Sequence, residues 1–255
     1  MQKKQSEWHE QWTLLQDNEE FLFNEWIEPN KLEDFNDKEI LECGCGGGQH
    51  TMFVAPYAKS ITAVDLNTTD LAKKRNSKFS NVEFVEADLA KMDLQKQFDI
   101  VFSIGVVHHT DDPDLTMQNL AKHVKPGGKL IVWVYSKEGN WMVDKILEPL
   151  RKTFLVNMSR KSLLGLSKLT TFLMYLPIYT IYLLPLTFLP FYEYFQNFRR
   201  LTFYRNTLNV FDKLNAPQVD FISNKRINNW FSGQFSSANI TPYKGVSWRG
   251  SGIKK

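Results

Sequence analysis

Ile40-Leu41-Glu42-Cys43-Gly44-Cys45-Gly46-Gly47-Gly48-Gln49-His50 is the stretch on which the reading of this chain turns. A short apolar run enters a glycine-rich turn, and a helix is expected to open at Gln49 or Thr51. Glycine tolerates positive φ and lets a ligand approach the backbone closely. Such a turn at the carboxyl end of a strand is where open α/β sheets bind their ligands. The spacing excludes two phosphate-binding loops. Counted from Gly44, a dinucleotide fingerprint needs glycine at its sixth position, where Gln49 stands, and no Gly-Lys-Ser/Thr follows for a P-loop. Glu42 would repel a pyrophosphate but suits a ligand carrying an ammonium group.

Working outward, Lys38 to Cys43 reads as the first strand and Gln49 to Ala58 as the first helix, limited by Pro56. Ser60 to Asp65 is a second apolar strand that ends in an acid. Asp65 lies 21 residues after Gly44, near the interval expected for a carboxylate that accepts from both hydroxyls of a ribose. Its alternative role is a helix N-cap, which Thr68 or Thr69 can also fill. A basic helix (Asp70 to Lys78) precedes an alternating strand, Val82 to Leu89, with a second acid at Asp88. Phe98 to Thr110 is a fourth strand and its loop, with His108 and His109 at the end. An amphipathic helix (Asp114 to His123), Lys125-Pro126-Gly127-Gly128 and a fifth strand, Lys129 to Tyr135, follow.

Glu42-Cys43-Gly44-Cys45-Gly46-Gly47-Gly48 resembles the first motif of class I S-adenosylmethionine (SAM)-dependent methyltransferases. The Val-His-His extension of the fourth strand and the Pro-Gly-Gly entry to the fifth resemble later motifs of that family, in the same order. The resemblance is specific over residues 38–135. It implies an α/β fold with a seven-stranded Rossmann-like sheet and S-adenosyl-L-methionine as cofactor. It also implies that Glu42, Gly44, Cys45, Gly46 and Gly48 surround the methionine end, and Asp65 with Leu66 the ribose. Asp88 and Leu89 would meet the adenine, while Ile104, Gly105 and Val106 pass near the amino acid end. His108 would form a wall of that pocket. His109 is a candidate general base, because an unperturbed imidazole titrates near pH ~6.5. A base is needed only for a poor nucleophile such as a hydroxyl or an acidic carbon. Otherwise proximity and alignment can supply much of the acceleration.

Composition sets the outer bounds. With 255 residues, 43% apolar and 23% charged, the chain suits one large globular domain carrying an insertion. A net charge of +3 gives no reason to expect nucleic acid. The only cysteines, Cys43 and Cys45, sit in the glycine turn. They form no disulfide framework and a poor metal chelate, so no metal is expected and a reducing cytoplasm fits. Met1 to Glu10 is polar, so no signal peptide is expected. Residues 1–36 form an amino-terminal segment in which Trp8, Trp12, Leu15 and Glu19 share a helical face. That face either packs on the core (residues 37–138) or acts as a lid, with Trp8 and Trp12 towards substrate or sulfonium.

Residues 139–210 are the distinctive part. Asn140 to Lys152 is expected to be helical and broken by Pro149. Arg151, Lys152, Arg160, Lys161 and Lys168 form a basic flank, and Arg199, Arg200 and Arg205 a second. Between them, the 24 residues Leu169 to Tyr192 contain no charged side chain. A run this long reads as a membrane span. A chain returning to the same sheet needs an even number of crossings, however, and two would take about 40 residues. Pro177, Pro185 and Pro190 are expected to divide the run into short helices. Two placements remain open and compatible: residues 160–200 lie in a membrane interface, or they cap the site. Residues 211–255 then complete the domain, with a helix from Asn224 to Phe231 and an antiparallel pair, Ser237 to Tyr243 and Val246 to Ile253. Phe211 to Gln218 resembles a substrate-side segment of related bacterial enzymes. Tyr135, Asp220 and Arg249 are candidate substrate residues, with surface roles the alternative for the last two. The expected function is methyl transfer to a small or amphipathic acceptor, including a lipid or lipid-linked one at the inner membrane face. A soluble metabolite or sugar acceptor and a SAM-binding module without turnover are the rival readings.

Overall fold

The computed structural model describes residues 2–14, 19–216 and 218–255. Leu15 of the expected amino-terminal face, and Pro217, therefore lie outside the described residues. Seven strands form one sheet in the order β3-β2-β1-β4-β5-β7-β6. They are β1 (Glu39–Cys43), β2 (Ser60–Asp65), β3 (Val82–Glu86), β4 (Phe98–Ile104), β5 (Val124–Tyr135), β6 (Phe235–Tyr243) and β7 (Ser247–Lys254). The first five run parallel, and β7 enters antiparallel between β5 and β6. The central strands β1 and β4 are buried almost throughout, as expected where both faces of a parallel sheet are covered. Strand order reverses between β1 and β4, so their carboxyl ends open a crevice. Lys125-Pro126-Gly127-Gly128 is not a turn before β5 but part of it. A register shift between Phe98 and Ile100 absorbs it, with Val124 still paired to Phe98.

The helices are α1 (Gln2–Leu14), α2 (Glu20–Ile27), α3 (Gln49–Val54), α4 (Thr69–Arg75) and α5 (Pro113–Lys122). After β5 come α6 (Glu148–Thr153), α7 (Arg160–Ile178), α8 (Tyr192–Phe198), α9 (Phe203–Asn215) and α10 (Asn224–Phe231). Two expectations fail in the insertion. Pro149 does not break its helix: it sits in the first turn of α6, behind a π-helical turn (Val143–Leu147) with different hydrogen-bond spacing. Pro177 does not divide the apolar run, because it falls in the last turn of one long α7. Pro185 and Pro190 do lie outside helices.

The insertion has a core of its own. Leu163 and Ile178 of α7 pack with Phe198 of α8 and with Leu208, Phe211 and Leu214 of α9. On that face the hydroxyls of Ser167 and Thr171 donate to the carbonyls of Leu163 and Ser167, which satisfies them without a partner helix. The expected boundary at residue 210 falls inside α9, which belongs to both parts. No described helix is long and apolar enough to cross a membrane.

Candidate active site

The carboxyl ends of β1, β2 and β4 and the segment after β3 open into a cavity of about 710 Å³, roofed by α1, α8 and α9. Its floor is the glycine turn. Gly44 has φ +84°, and a Cβ there would stand 2.5 Å from the Val106 methyls. Gly46 has φ +53°, and a Cβ there would meet the Trp12 indole at 3.0 Å. Both positions therefore require glycine, for backbone conformation and for close approach. The Gly46 N–H donates to Asp65 Oδ2 at 2.9 Å, and the Asn67 N–H to Oδ1 at 3.3 Å. These bonds fix the Asp65 carboxylate at the cavity wall with lone pairs left for a vicinal diol. Asp88 lines the next stretch of wall, its Oδ1 accepting from the Ala90 N–H at 3.0 Å. Leu66, Leu89, Ile104, Gly105, Val106, Trp8, Trp12, His109 and Tyr135 also line the cavity.

Five residues expected at the site stand behind or away from this wall: Glu42, Cys45, Gly48, His108 and Arg249 are not among the lining residues. Glu42 is buried beneath the turn, where Thr51 Oγ1 donates to its Oε2 at 2.5 Å. Burial, reinforced by the Asp65 charge, pushes its carboxyl up to about 8, so it cannot serve as an exposed anion for an ammonium group. Cys45 is buried, and Gly48 (φ +76°) caps α3 in the left-handed region. His108 is buried against the Tyr135 ring, 4.3 Å between centroids, and neither ring nitrogen has a hydrogen-bond partner among the described residues. Burial holds it neutral, well below the usual imidazole range. Arg249 is engaged elsewhere, by Glu28 at 2.5 Å and the Glu25 carbonyl at 2.9 Å. Asp220 pairs with Arg226 at 2.6 Å.

His109 is placed differently. Its Nδ1 lies 2.8 Å from the Gln218 carbonyl. A carbonyl only accepts, so Nδ1 carries the proton and Nε2 keeps its lone pair. The ring packs between Trp8, at 4.8 Å, and His108, at 4.2 Å. Burial lowers its pKa from the ordinary 6.5, only partly offset by the Asp212 charge. The result is a neutral imidazole at the cavity wall.

The roof brings in residues that the sequence did not offer as individual candidates, although Asp212, Lys213 and Asn215 lie in the Phe211–Gln218 segment expected on the substrate side. Asp212 Oδ2 accepts from the Tyr135 hydroxyl at 2.8 Å, and Oδ1 from the Gln11 amide at 3.1 Å. Gln11 in turn accepts from Asn215 at 2.9 Å. Lys213 holds its ammonium 4.8 Å from the Tyr135 ring centre and 5.1 Å from that of Tyr194. Arg205, Leu208, Asn209, Asp212 and Lys213 form a stripe along α9, and all line the cavity. That i, i+3, i+4 stripe, polar except for Leu208, is a signal that could have exposed them. Among the described residues no His, Cys, Asp or Glu cluster could hold a metal.

Comparison with known proteins agrees with this geometry. The sequence family described as Methyltransferase domain matches residues 41–132. A ubiquinone biosynthesis O-methyltransferase of Rickettsia akari (strain Hartford) is 31% identical over 100 residues, 37% of this chain and 39% of that protein. The mitochondrial enzyme of the same name from Schizosaccharomyces pombe is 31% identical over 109 residues, 40% of each chain. The chain thus spans about two-fifths of the length of these curated relatives. The N-methyltransferase NodS from Bradyrhizobium japonicum WM9, solved with S-adenosyl-L-homocysteine (SAH), shares the fold across 98% of both chains, with a TM-score of 0.57 and 12% identity. Residues 41–132 thus match a methyltransferase domain, and the seven-strand order with the glycine turn beside Asp65 is the arrangement of the class I SAM-dependent fold, for which SAM is the cofactor.

Proposed function

We propose that this protein transfers a methyl group from SAM to an amphipathic acceptor that it meets at a lipid surface. The two-faced insertion carries this reading. Its inner side, α8, α9 and the link between them, roofs the cavity through Tyr194, Leu201, Leu208 and Asp212. Its outer side presents Leu169, Phe172, Leu173 and Leu176 at helical spacing on α7, followed by Ile181, Leu183, Leu184 and Phe188. Phe172 is 67% exposed, Leu176 73% and Phe188 80%. A contiguous exposed apolar patch of this kind marks an interaction surface.

SAM, when bound, supplies an electrophilic methyl group on a sulfonium. Asp65 would accept from the ribose hydroxyls, Asp88 would meet the adenine, and the turn from Gly44 to Gly48 would hold the amino acid end. Trp12, brought against Gly46 by α1, and Trp8, beside His109, would exclude water from the space above the turn. The Nε2 lone pair of His109 would take the proton of an acceptor hydroxyl or acidic carbon as it is methylated.

The test combines methyl-labelled SAM, the purified protein and an extract of its own cells, followed by solvent partition. Label in the organic phase is the expected result. Label in the aqueous phase would replace the amphipathic acceptor with a metabolite or sugar and reduce the outer face to the back of a lid. Asp65→Ala is expected to abolish SAM binding. Binding without any transfer would favour a module without turnover.

A further inference from the structure

Lys213 is a cation in the wrong place for a neutral substrate. Its ammonium carries three donors and is strongly hydrated. It projects into the cavity from α9, half-buried, in contact with the ring faces of Tyr135 and Tyr194. Among the described residues no carboxylate lies within ion-pair distance of it, and its ammonium makes no hydrogen bond. The adjacent acid, Asp212, has both oxygens turned to neutral donors, Tyr135 and Gln11. In the open cavity water can serve the three N–H groups. An acceptor that fills the cavity displaces that water, and two ring faces alone recover only part of the lost hydration. A buried charge left unpaired is costly, so a neutral ligand would be disfavoured here and an anionic one selected.

We infer that Lys213 binds an anionic group, a carboxylate or a phosphate, on the acceptor whose reacting atom lies at His109. Tyr135 connects the two positions. Its ring centre lies 6.0 Å from that of His109 and 4.8 Å from the Lys213 ammonium. An acceptor spanning the Tyr135 face would therefore present its anion to Lys213 and its nucleophile to the Nε2 of His109. This assignment rests on the methyltransferase reading and narrows it to anionic amphiphiles.

The test uses the full chain saturated with SAH and titrates three eight-carbon probes by calorimetry: octyl phosphate, octanoate and neutral octyl glucoside. At least one anionic probe is expected to bind on the order of tenfold or more tightly than the glucoside, the size of one charge-assisted contact. Lys213→Met is expected to remove that preference, and Lys213→Arg to retain it. The stronger of octyl phosphate and octanoate names the group. Absence of anionic binding, equal affinity for all three probes, or a preference that survives in Lys213→Met would each overturn the assignment. SAH titrated into each variant separates the two readings. Intact SAH binding with no anion preference removes only the role of Lys213, whereas loss of SAH binding in the wild-type chain removes the methyltransferase reading beneath it.

Discussion

One carbonyl decides what His109 can do. Because Gln218 O takes Nδ1–H, the free lone pair is on Nε2, and burial keeps the ring uncharged below its ordinary pKa. A base with a lowered pKa remains active at lower pH. The acid limb of kcat/KM is therefore expected below the ordinary 6.5, with a plateau through neutrality. His109→Asn should lower turnover roughly a hundred- to ten-thousandfold while SAM binding persists. An unchanged rate would remove it as the base. Glu42 makes a second residue-scale case. Its folded carboxyl is raised to about 8 from 4.5, so between these values the folded chain holds a proton that the unfolded chain has lost. Its contribution is fully present below the unfolded value and declines as pH rises through the window. Glu42→Gln does not titrate, so its melting temperature should gain on the wild type from pH ~5 to ~8. A difference constant with pH would mean that Glu42 is ionised throughout. The strand-end acids Asp65 and Asp88 were legible because position at the end of an apolar run is a local signal. The burial of Glu42 was not, because it depends on what packs under the turn.

At the scale of elements, the insertion separates what a charge count suggests from what the side chains do. The sequence presents two basic flanks, but most of those charges are engaged within the fold. Arg151 is buried on Glu148, Arg160 pairs with Glu7 and Glu10, and Arg200 pairs with Glu25. Lys161 and Lys168 are exposed on α7, and Lys152 lies 3.4 Å from Glu148. Attraction to anionic headgroups, worth about 1 kcal/mol per basic residue, is therefore small beside the apolar term. Vesicle co-sedimentation is expected to survive a rise in salt that screens surface charge. Replacing Phe172, Leu176 and Phe188 with serine should weaken it by roughly tenfold or more per side chain, with the melting temperature unchanged. Binding lost in salt but indifferent to these three substitutions would assign the contact to the lysines. The 24-residue uncharged run was visible in the sequence, but its division into a buried and an exposed face was not. That division follows from the packing of Met174 and Ile178 into the core shared with α8 and α9.

Across the whole molecule, the amino-terminal helix and the last helix of the insertion meet over the cavity. α1 is held to α9 by Gln11, through Asp212 and Asn215, contacts that span 201 and 204 residues of sequence. Such pairings lie beyond any local pattern, which is why a lid and a cap could be expected from the sequence while the contacts that join them could not. Trp12, one residue on, lies against Gly46. The amino-terminal helix thus touches the cofactor turn and the acceptor roof together, and its position should respond to either ligand. SAH is expected to slow hydrogen exchange in residues 2–14 and 203–215 together, with the already buried strands β1 and β4 little changed. Gln11→Ala removes the tie but leaves the glycine turn intact. Exchange in both segments should then quicken, and SAH should still protect α1 through Trp12 but no longer protect α9. Protection of α9 persisting in Gln11→Ala would mean that the roof senses the cofactor by another route, and that Gln11 only fastens the helix in place.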